Sequence, residues 1–334
     1  MLRTLAWRVA VALPTLLVVS ALIFAALRLL PVDPAVTSLP AGATRAEIAT
    51  MRHAMGLDRP LPVQYAIWLG RALHGDFGQS IHLHRPVGGL VRDALPATIE
   101  LAGSAMAIAS VLGIGGGLLL FALRGRRLEP ALETVITLAM SLPEFLWALL
   151  FVFVFGVALN LLPVTGRLAP GLAQPPGTGF LFIDSLRAGR FDVFWSALLH
   201  LVMPASALGI AFAAPIARVL RTSLLAVWEQ DYMRQARLRG VSETRLLLAH
   251  ALRNAALPSL PFIGRQFGVL VGGALLVEVI FGDPGIGSLM VDALHHADLP
   301  VIQAVGLAYC AAVLAINAAA GTLQLILDPR LRRS

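Results

Sequence analysis

The sequence predicts an all-α integral membrane protein with six membrane-crossing helices. Hydrophobic residues make up 57% of the 334, charged residues 13%, and mean hydropathy is +0.79; average globular chains are about 45–50% apolar and about 25% charged. Six stretches reach the roughly 20 predominantly apolar residues a crossing helix needs. The third observation is the placement of Arg, which gathers between alternate stretches, as on the cytoplasmic side of a membrane.

The predicted spans are residues 8–30, 99–123, 131–159, 196–217, 258–281 and 301–327. Arg3 and Arg8 precede the first, whose apolar run extends to about Leu27. That exceeds the roughly 7–15 residues of a signal-peptide core, and Arg28 and Pro31 follow in place of a small-x-small cleavage site, so a retained helix is expected. Between spans two and three lie Arg124, Arg126 and Arg127; beyond span six lie Arg330, Arg332 and Arg333. With six crossings these share one side with the N-terminus and with segment 218–257, which the positive-inside rule makes cytoplasmic. The connection 283–300 carries Asp283, Asp292 and Asp298 and no Arg, as suits the outside. Segments 31–98 and 160–195 also face outward and are expected to act as caps or docking surfaces, being too short for a large independent core.

Net charge is +7 and the sequence pI about 11.0, with no Lys anywhere. In a soluble protein such a balance would suggest nucleic acid; here it marks cytoplasmic loops and no nucleic-acid partner is expected. A GxxxxGK[ST] phosphate loop needs its Lys, so any ATP used is bound by another chain. Cys310 is alone, which excludes an intrachain disulfide and suits a small buried hydrophobe.

Between Arg218 and Arg253 stand seven Arg and three acidic residues. At about 2.5–3.5 kcal/mol per Arg at the bilayer centre, burying them would cost on the order of 20 kcal/mol, so the segment lies in water. Leu238, Val241, Arg245, Leu248 and Leu252 step by three and four along one helix face. Gly240 suits the left-handed end of a first helix, Ser242 the N-cap of a second, and Pro258 the start of span five. The pattern alone leaves two readings open: an amphipathic helix on anionic lipid, or a knob for a protein partner.

The stretch "DYMRQARLRGVSETRLLLAHALRNAALP" resembles the cytoplasmic signature (EAA-type) loop of ABC-importer permeases. The likeness is closest to the peptide/nickel permease family and spans essentially the whole chain, through "LPVDPA", "GLDRPLPVQYAIWLG", "GDFGQS", "RPVGGLVRDALPATIELA", "SLPEF", "LPVTGR", "VEVIFGDPGIGSLMVDAL", "DLPVIQAV" and "LDPRLR". The order resembles that of the first of the two paired permeases. This resemblance implies a permease subunit for di- or oligopeptides in a bacterial or archaeal cytoplasmic membrane, not an enzyme. Its implied partners are a second homologous permease, two cytosolic ATPases that bind ATP and Mg²⁺, an external solute-binding protein and membrane lipid, with no cofactor in this chain. It favours the protein-partner reading of the insert. The coupling positions it implies are Ala236, Gly240, His250, Ala251, Leu252, Arg253, Asn254 and Pro258. Arg239 stands where the family often has Lys, which keeps the charge. Nickel and glutathione remain alternative solutes.

Ionisable residues inside spans are functional candidates. Glu144, after Pro143 in span three, is read as a path residue or as a partner for backbone freed by the proline. Arg265, roughly 10 Å into span five, would snorkel to the surface or pair with Glu144. Glu278 near the outer end of span five is a gate or structural candidate. Gly264, Gly268 and Gly272 recur every fourth residue, as in close helix packing. Seven of the eight His lie at or outside the outer half, including His82, His84, His295 and His296, but neighbouring pairs in loops are weak ligand spacings and no metal site is expected. A secondary transporter would leave the insert unexplained. An intramembrane peptidase would need HExxH or a Ser/Lys or Ser/His pair; HExxH and Lys are absent and His200 is the single span histidine.

Overall fold

The computed structural model describes residues 2–29, 33–37, 39 and 42–327. Pro31 and the tail residues Arg330, Arg332 and Arg333 lie outside the described residues, and at Arg3 and Arg8 only the helical backbone is described. In chain order the helices are α1 (Leu2–Leu29), α2 (Pro34–Thr37), α3 (Arg45–Ala54), α4 (Leu61–Leu73), α5 (Val87–Ala122), α6 (Glu129–Ser141), α7 (Glu144–Phe151), α8 (Leu181–Arg187), α9 (Phe191–Trp228), α10 (Asp231–Leu238), α11 (Glu243–Arg245), α12 (Leu252–Phe281), α13 (Ile286–His295) and α14 (Leu299–Leu327). Val152–Ala158 and Leu246–Ala251 are π-helical. Among the described residues there is no β-strand, only an isolated bridge between Gln79 and Pro86.

Among the described residues five helices are long and apolar enough to cross a membrane: α1 over Ala10–Leu29, α5, α9, α12 over Pro258–Phe281, and α14 over Leu299–Thr322. Span three, expected over 131–159 with a break at Pro143 as one reading, is not one helix. It is a pair, Glu129–Ser141 and Glu144–Ala158, bent by 98°. Pro143 is the cause: its ring forces the preceding Leu142 out of the helical region, to φ −95° and ψ 124°. Span two begins at Val87, twelve residues before the expected start, because Pro86 opens a helix that continues outside the apolar run. Span four also outruns its expected end at 217, so the first part of the expected coupling loop, to Trp228, is still α9.

The largest core joins α5, α7, α9 and α12 through Leu101, Ala105, Ala148, Met203, Leu208, Leu270 and Phe281. Small residues let α5 and α9 touch: a Cβ on Gly113 would lie 2.7 Å from Ile216, and one on Gly117 2.8 Å from the Ala217 carbonyl. The outward faces are apolar too, with Val111 71%, Val135 61% and Val269 60% exposed. Such surface needs lipid or a partner subunit to cover it. In the outer segment, Tyr65 and Trp68 of α4 pack on Phe24 of α1 at ring separations of 5.5 and 6.0 Å. Tyr65 also exchanges a 2.7 Å hydrogen bond with Ser20. Thr44 and Glu47 form a reciprocal cap on α3.

The glycine stripe of α12 packs in part. A Cβ on Gly264 would collide with Ala320 of α14, and one on Gly268 would meet Val313 at 3.4 Å, whereas Gly272 faces open space. Gly264→Val is therefore expected to lower stability by about 1–3 kcal/mol through overpacking. Gly272→Ala should change it by no more than about 0.5 kcal/mol. Thermal unfolding of the purified chain in detergent distinguishes them; equal shifts would contradict the packing.

Candidate functional site

The basic insert folds back onto the ends of the membrane helices. α10 ends at Arg239, and Gly240 turns the chain in the left-handed region at φ +79°. Ser242 follows in extended conformation ahead of α11, as an N-cap position, but its side chain makes no capping bond. From Glu243 the chain is helical without a break through the π turn and α12. Pro258 does not start span five as the sequence predicts; it lies inside α12 together with Pro261.

The buried face also differs from the expected one. Met233, Leu246, Ala251 and Ala255 are fully buried against Phe121, Leu220 and Leu224 at the ends of α5 and α9, with Ala236, Val241 and Leu252 beside them. Leu238 and Leu248, expected on that face, are 87% and 53% exposed. Two features account for this: Leu238 ends α10 and is cut off from the following helix by the left-handed Gly240, and the wider winding of the π turn shifts the register of Leu246–Ala251 against the 3.6-residue period used to read it. The positions that the resemblance implies for coupling thus divide. Ala236, Ala251 and Leu252 hold the insert to the bundle, while Gly240, His250, Arg253, Asn254 and Pro258 are exposed. Asn254 donates to the Tyr232 hydroxyl at 3.0 Å and to the His250 carbonyl at 2.9 Å, tying α10 to the helix that follows the turn.

Charge is similarly divided. Arg221 pairs with Glu129 and, at 3.1 Å, with Glu133. Arg237 pairs with Glu243 at 2.8 Å, and the guanidinium groups of Arg124 and Arg237 lie over the Trp228 ring at 4.7 and 5.0 Å. Arg239, Arg245 and Arg253 are exposed and have no ion pair among the described residues. The insert therefore presents free positive charge and two large exposed apolar side chains, Leu238 just before the Gly240 turn and Leu248 in the helix that follows it.

Inside the bundle, Glu144 is the first residue of α7, where a carboxylate suits the helix N-terminus. It is half-buried, its Oε1 is 3.0 Å from where a Cβ on Gly273 of α12 would stand, and Phe212 of α9 lies close by. It makes no hydrogen bond or ion pair among the described residues. Arg265 does not reach it; that side chain is exposed and lies over the Phe262 ring at 5.8 Å.

Glu278 is fully buried. Its Oε1 accepts from the Thr98 hydroxyl at 2.6 Å, and its Oε2 from the backbone N–H groups of Gly287 at 2.7 Å and Ser288 at 3.1 Å. Thr98 in turn accepts from the Ile286 N–H at 2.8 Å. One carboxylate and one hydroxyl thus take up three donors at the start of α13 and bind it to α5 and α12. Side chains at Gly285 and Gly287 would run into the Glu278 carboxylate, which explains the last two glycines of "FGDPGIG"; the first, Gly282, ends α12 in the left-handed region at φ +61°.

Reading the sequence did not find a second buried cluster. Arg167 pairs with Glu100 of α5 and lies 3.5 Å from Asp283, with all three side chains largely buried. Glu100 also accepts from the Phe182 N–H at 3.0 Å, and burial pushes the Asp283 carboxyl above its ordinary range while Arg167 pulls it down. A cavity of about 20 Å³, room for a single water, is bounded by these three and by His200. The available signal was an acid and an arginine within the otherwise apolar "ATIELA" and "LPVTGR". The pairing spans 67 residues of sequence and has no local pattern.

Comparison with known proteins agrees with this architecture. Residues 92–333 match the model of the "Binding-protein-dependent transport system inner membrane component" family, and residues 1–102 match that of its N-terminal region. The chain is 36% identical to the di/tripeptide transport system permease protein DppB of Pseudomonas aeruginosa, over 99% of both chains. It is 34% identical to the dipeptide transport system permease protein DppB of Escherichia coli K12 and 37% to a putative peptide permease protein of Brucella suis, again over 99% of each. Among solved structures, the MetNI methionine ABC transporter in inward-facing conformations superposes with a TM-score of 0.55 at 14% identity, covering 72% of this chain and 97% of that one. That likeness concerns the fold alone. Matched over nearly its whole length, this chain belongs to the family of inner membrane components of binding-protein-dependent transport systems.

Proposed function

We propose that the chain is one of two homologous permease subunits of an ATP-driven importer of di- or oligopeptides. It forms half of the translocation path, receives solute from an external binding protein, and is driven by two cytosolic ATPases that bind ATP and Mg²⁺. The observation that carries this reading is the knob at Gly240. It is packed firmly on the ends of α5 and α9, yet it exposes Leu238, Leu248, Arg239, Arg245 and Arg253. A helix lying on lipid would present its large apolar side chains along one face; here Leu238 and Leu248 sit on separate helices either side of an exposed left-handed turn, which suits a surface for an ATPase groove. The membrane is the bacterial inner membrane, with both termini and the knob in the cytoplasm, since the Arg-rich short segments all fall on that side. Peptide is favoured over nickel or glutathione by the relatives, which are named for peptide, dipeptide and di/tripeptide transport. Glu144, unpaired beside α9 and α12, lines the path, where it can meet a peptide's ammonium group.

Uptake of a labelled dipeptide by the reconstituted complex, with binding protein outside and ATP inside, tests this. Uptake that needs both is expected, with Glu144→Gln slowing it while membrane insertion is unchanged. Uptake without ATP overturns the importer reading, and full activity of Glu144→Gln removes that residue from the path.

A further inference from the structure

Folding brings together histidines that the sequence keeps 214 residues apart. The imidazole of His82 stacks on that of His296, with centroids 3.5 Å apart and planes 11° from parallel. Asp292, one turn before His296, places a carboxylate oxygen 3.3 Å from His296 Nδ1. One potential ligand atom from each of His82, Asp292 and His296 lies within 4.8 Å of the other two. We propose that these three side chains bind a divalent transition-metal ion of the Zn²⁺ class.

The donor set points to that class. Two imidazoles and a carboxylate with an open fourth position suit Zn²⁺ and its neighbours, whereas Mg²⁺ and Ca²⁺ ask for six or more oxygens. The scaffold is also held in place. Asp298, 1% exposed, accepts from the Ser80 hydroxyl at 2.5 Å and from the His82 N–H at 3.1 Å. Its own N–H donates to the Ala293 carbonyl at 2.8 Å. The turn that carries His82 is thereby bonded to the chain two residues beyond His296. His296 Nδ1 lies 2.9 Å from the Asp292 carbonyl. When Nδ1 donates there, Nε2 is left as the ligand atom, the usual way a second-shell bond orients a metal-binding imidazole.

Binding requires a local adjustment. Ligand bonds to Zn²⁺ are about 2.0–2.2 Å, so the three atoms must draw closer and the stacked rings must splay at one edge. His82 and His296 are exposed and Asp292 is half-buried, which leaves room for it. The ion would join the Ser80–Arg85 turn to α13, at the end of α12 remote from the Gly240 knob. The proposal does not depend on which solute the protein carries.

The test is calorimetric titration of ZnCl₂ into the full-length chain, purified in detergent with a tag that contains no histidine. One Zn²⁺ per chain is expected. His82→Ala and His296→Ala should each weaken binding by about tenfold or more, with Asp292→Asn also weaker. Their sequence neighbours serve as controls, and His84→Ala and His295→Ala should bind as wild type. Saturating Zn²⁺ should raise the melting temperature of wild type and not of His82→Ala. Absence of saturable binding, or equal losses in the controls, overturns the site.

Discussion

Glu278→Ala is expected to lower stability by on the order of 3 kcal/mol or more. The estimate follows from counting what is left behind. The Gly287 and Ser288 N–H groups and the Thr98 hydroxyl all lose their acceptor, in a place water does not reach. Each buried polar group left unsatisfied costs about 1–3 kcal/mol. Removing the side chain also opens a void among Leu275, Thr98 and α13. Glu278→Gln should fall between Ala and wild type. It keeps the shape and one carbonyl oxygen for the two N–H donors, and its amide can donate to the Thr98 oxygen. Thermal unfolding and the yield of monodisperse protein give the ranking. If Gln proved as damaging as Ala, the charge of Glu278 would matter more than its hydrogen bonds, and the view that those bonds tie α13 to α5 and α12 would be wrong.

The second large effect is functional. Gly240→Asp is expected to cut ATP-dependent uptake by about tenfold or more while leaving the protein folded and inserted. Gly240 sits at φ +79° with nothing within 4 Å of where a Cβ would stand, so the substitution meets no steric obstacle. The remaining cost is the left-handed backbone, about 1–2 kcal/mol for ordinary residues and less for Asp, which tolerates that region. The turn is exposed, so a carboxylate there places a negative charge next to Arg239 on the surface proposed to meet the ATPase. Parallel measurement of ATP hydrolysis and uptake separates the outcomes. Hydrolysis retained without uptake, or both lost together, agrees with a coupling knob. Full uptake by the variant would exclude the turn from coupling.

Much of this was legible in the sequence because its signals are local. Runs of about 20 apolar residues locate the crossings, and Pro143, Gly240 and Ser242 mark a break, a turn and a helix start through the chemistry of single residues. What was lost is nonlocal or depends on register. A π turn leaves no compositional trace, so the face of Leu246–Ala251 was misread by part of a turn. Pro258 looked like a helix start because a proline there is comfortable, but the preceding helix already continues through it. Glu278 meets Thr98 across 180 residues, and His82 meets His296 across 214, so no spacing rule reveals either. Gly264 and Gly272 look equivalent by period, and only the position of α14 distinguishes them.

The unbroken run from the knob into α12 has a mechanical consequence. α12 has 30 residues, which at about 1.5 Å each makes a rod of about 45 Å. Its knob end is clamped by Met233, Leu246 and Ala255, and at its far end Glu278 grips α13. Pro258 and Pro261, each lacking a backbone N–H, lie near the knob end of this rod, so a force on the knob tips the longer stretch beyond them, from about Phe262 to Phe281. A tilt of a few degrees about one end of that stretch sweeps the other through a few ångströms, comparable to the width of a peptide backbone. The chain thus has the parts of a crank: a handle at the Gly240 knob, a long shaft in α12, and the short helix α13 fixed to its far end.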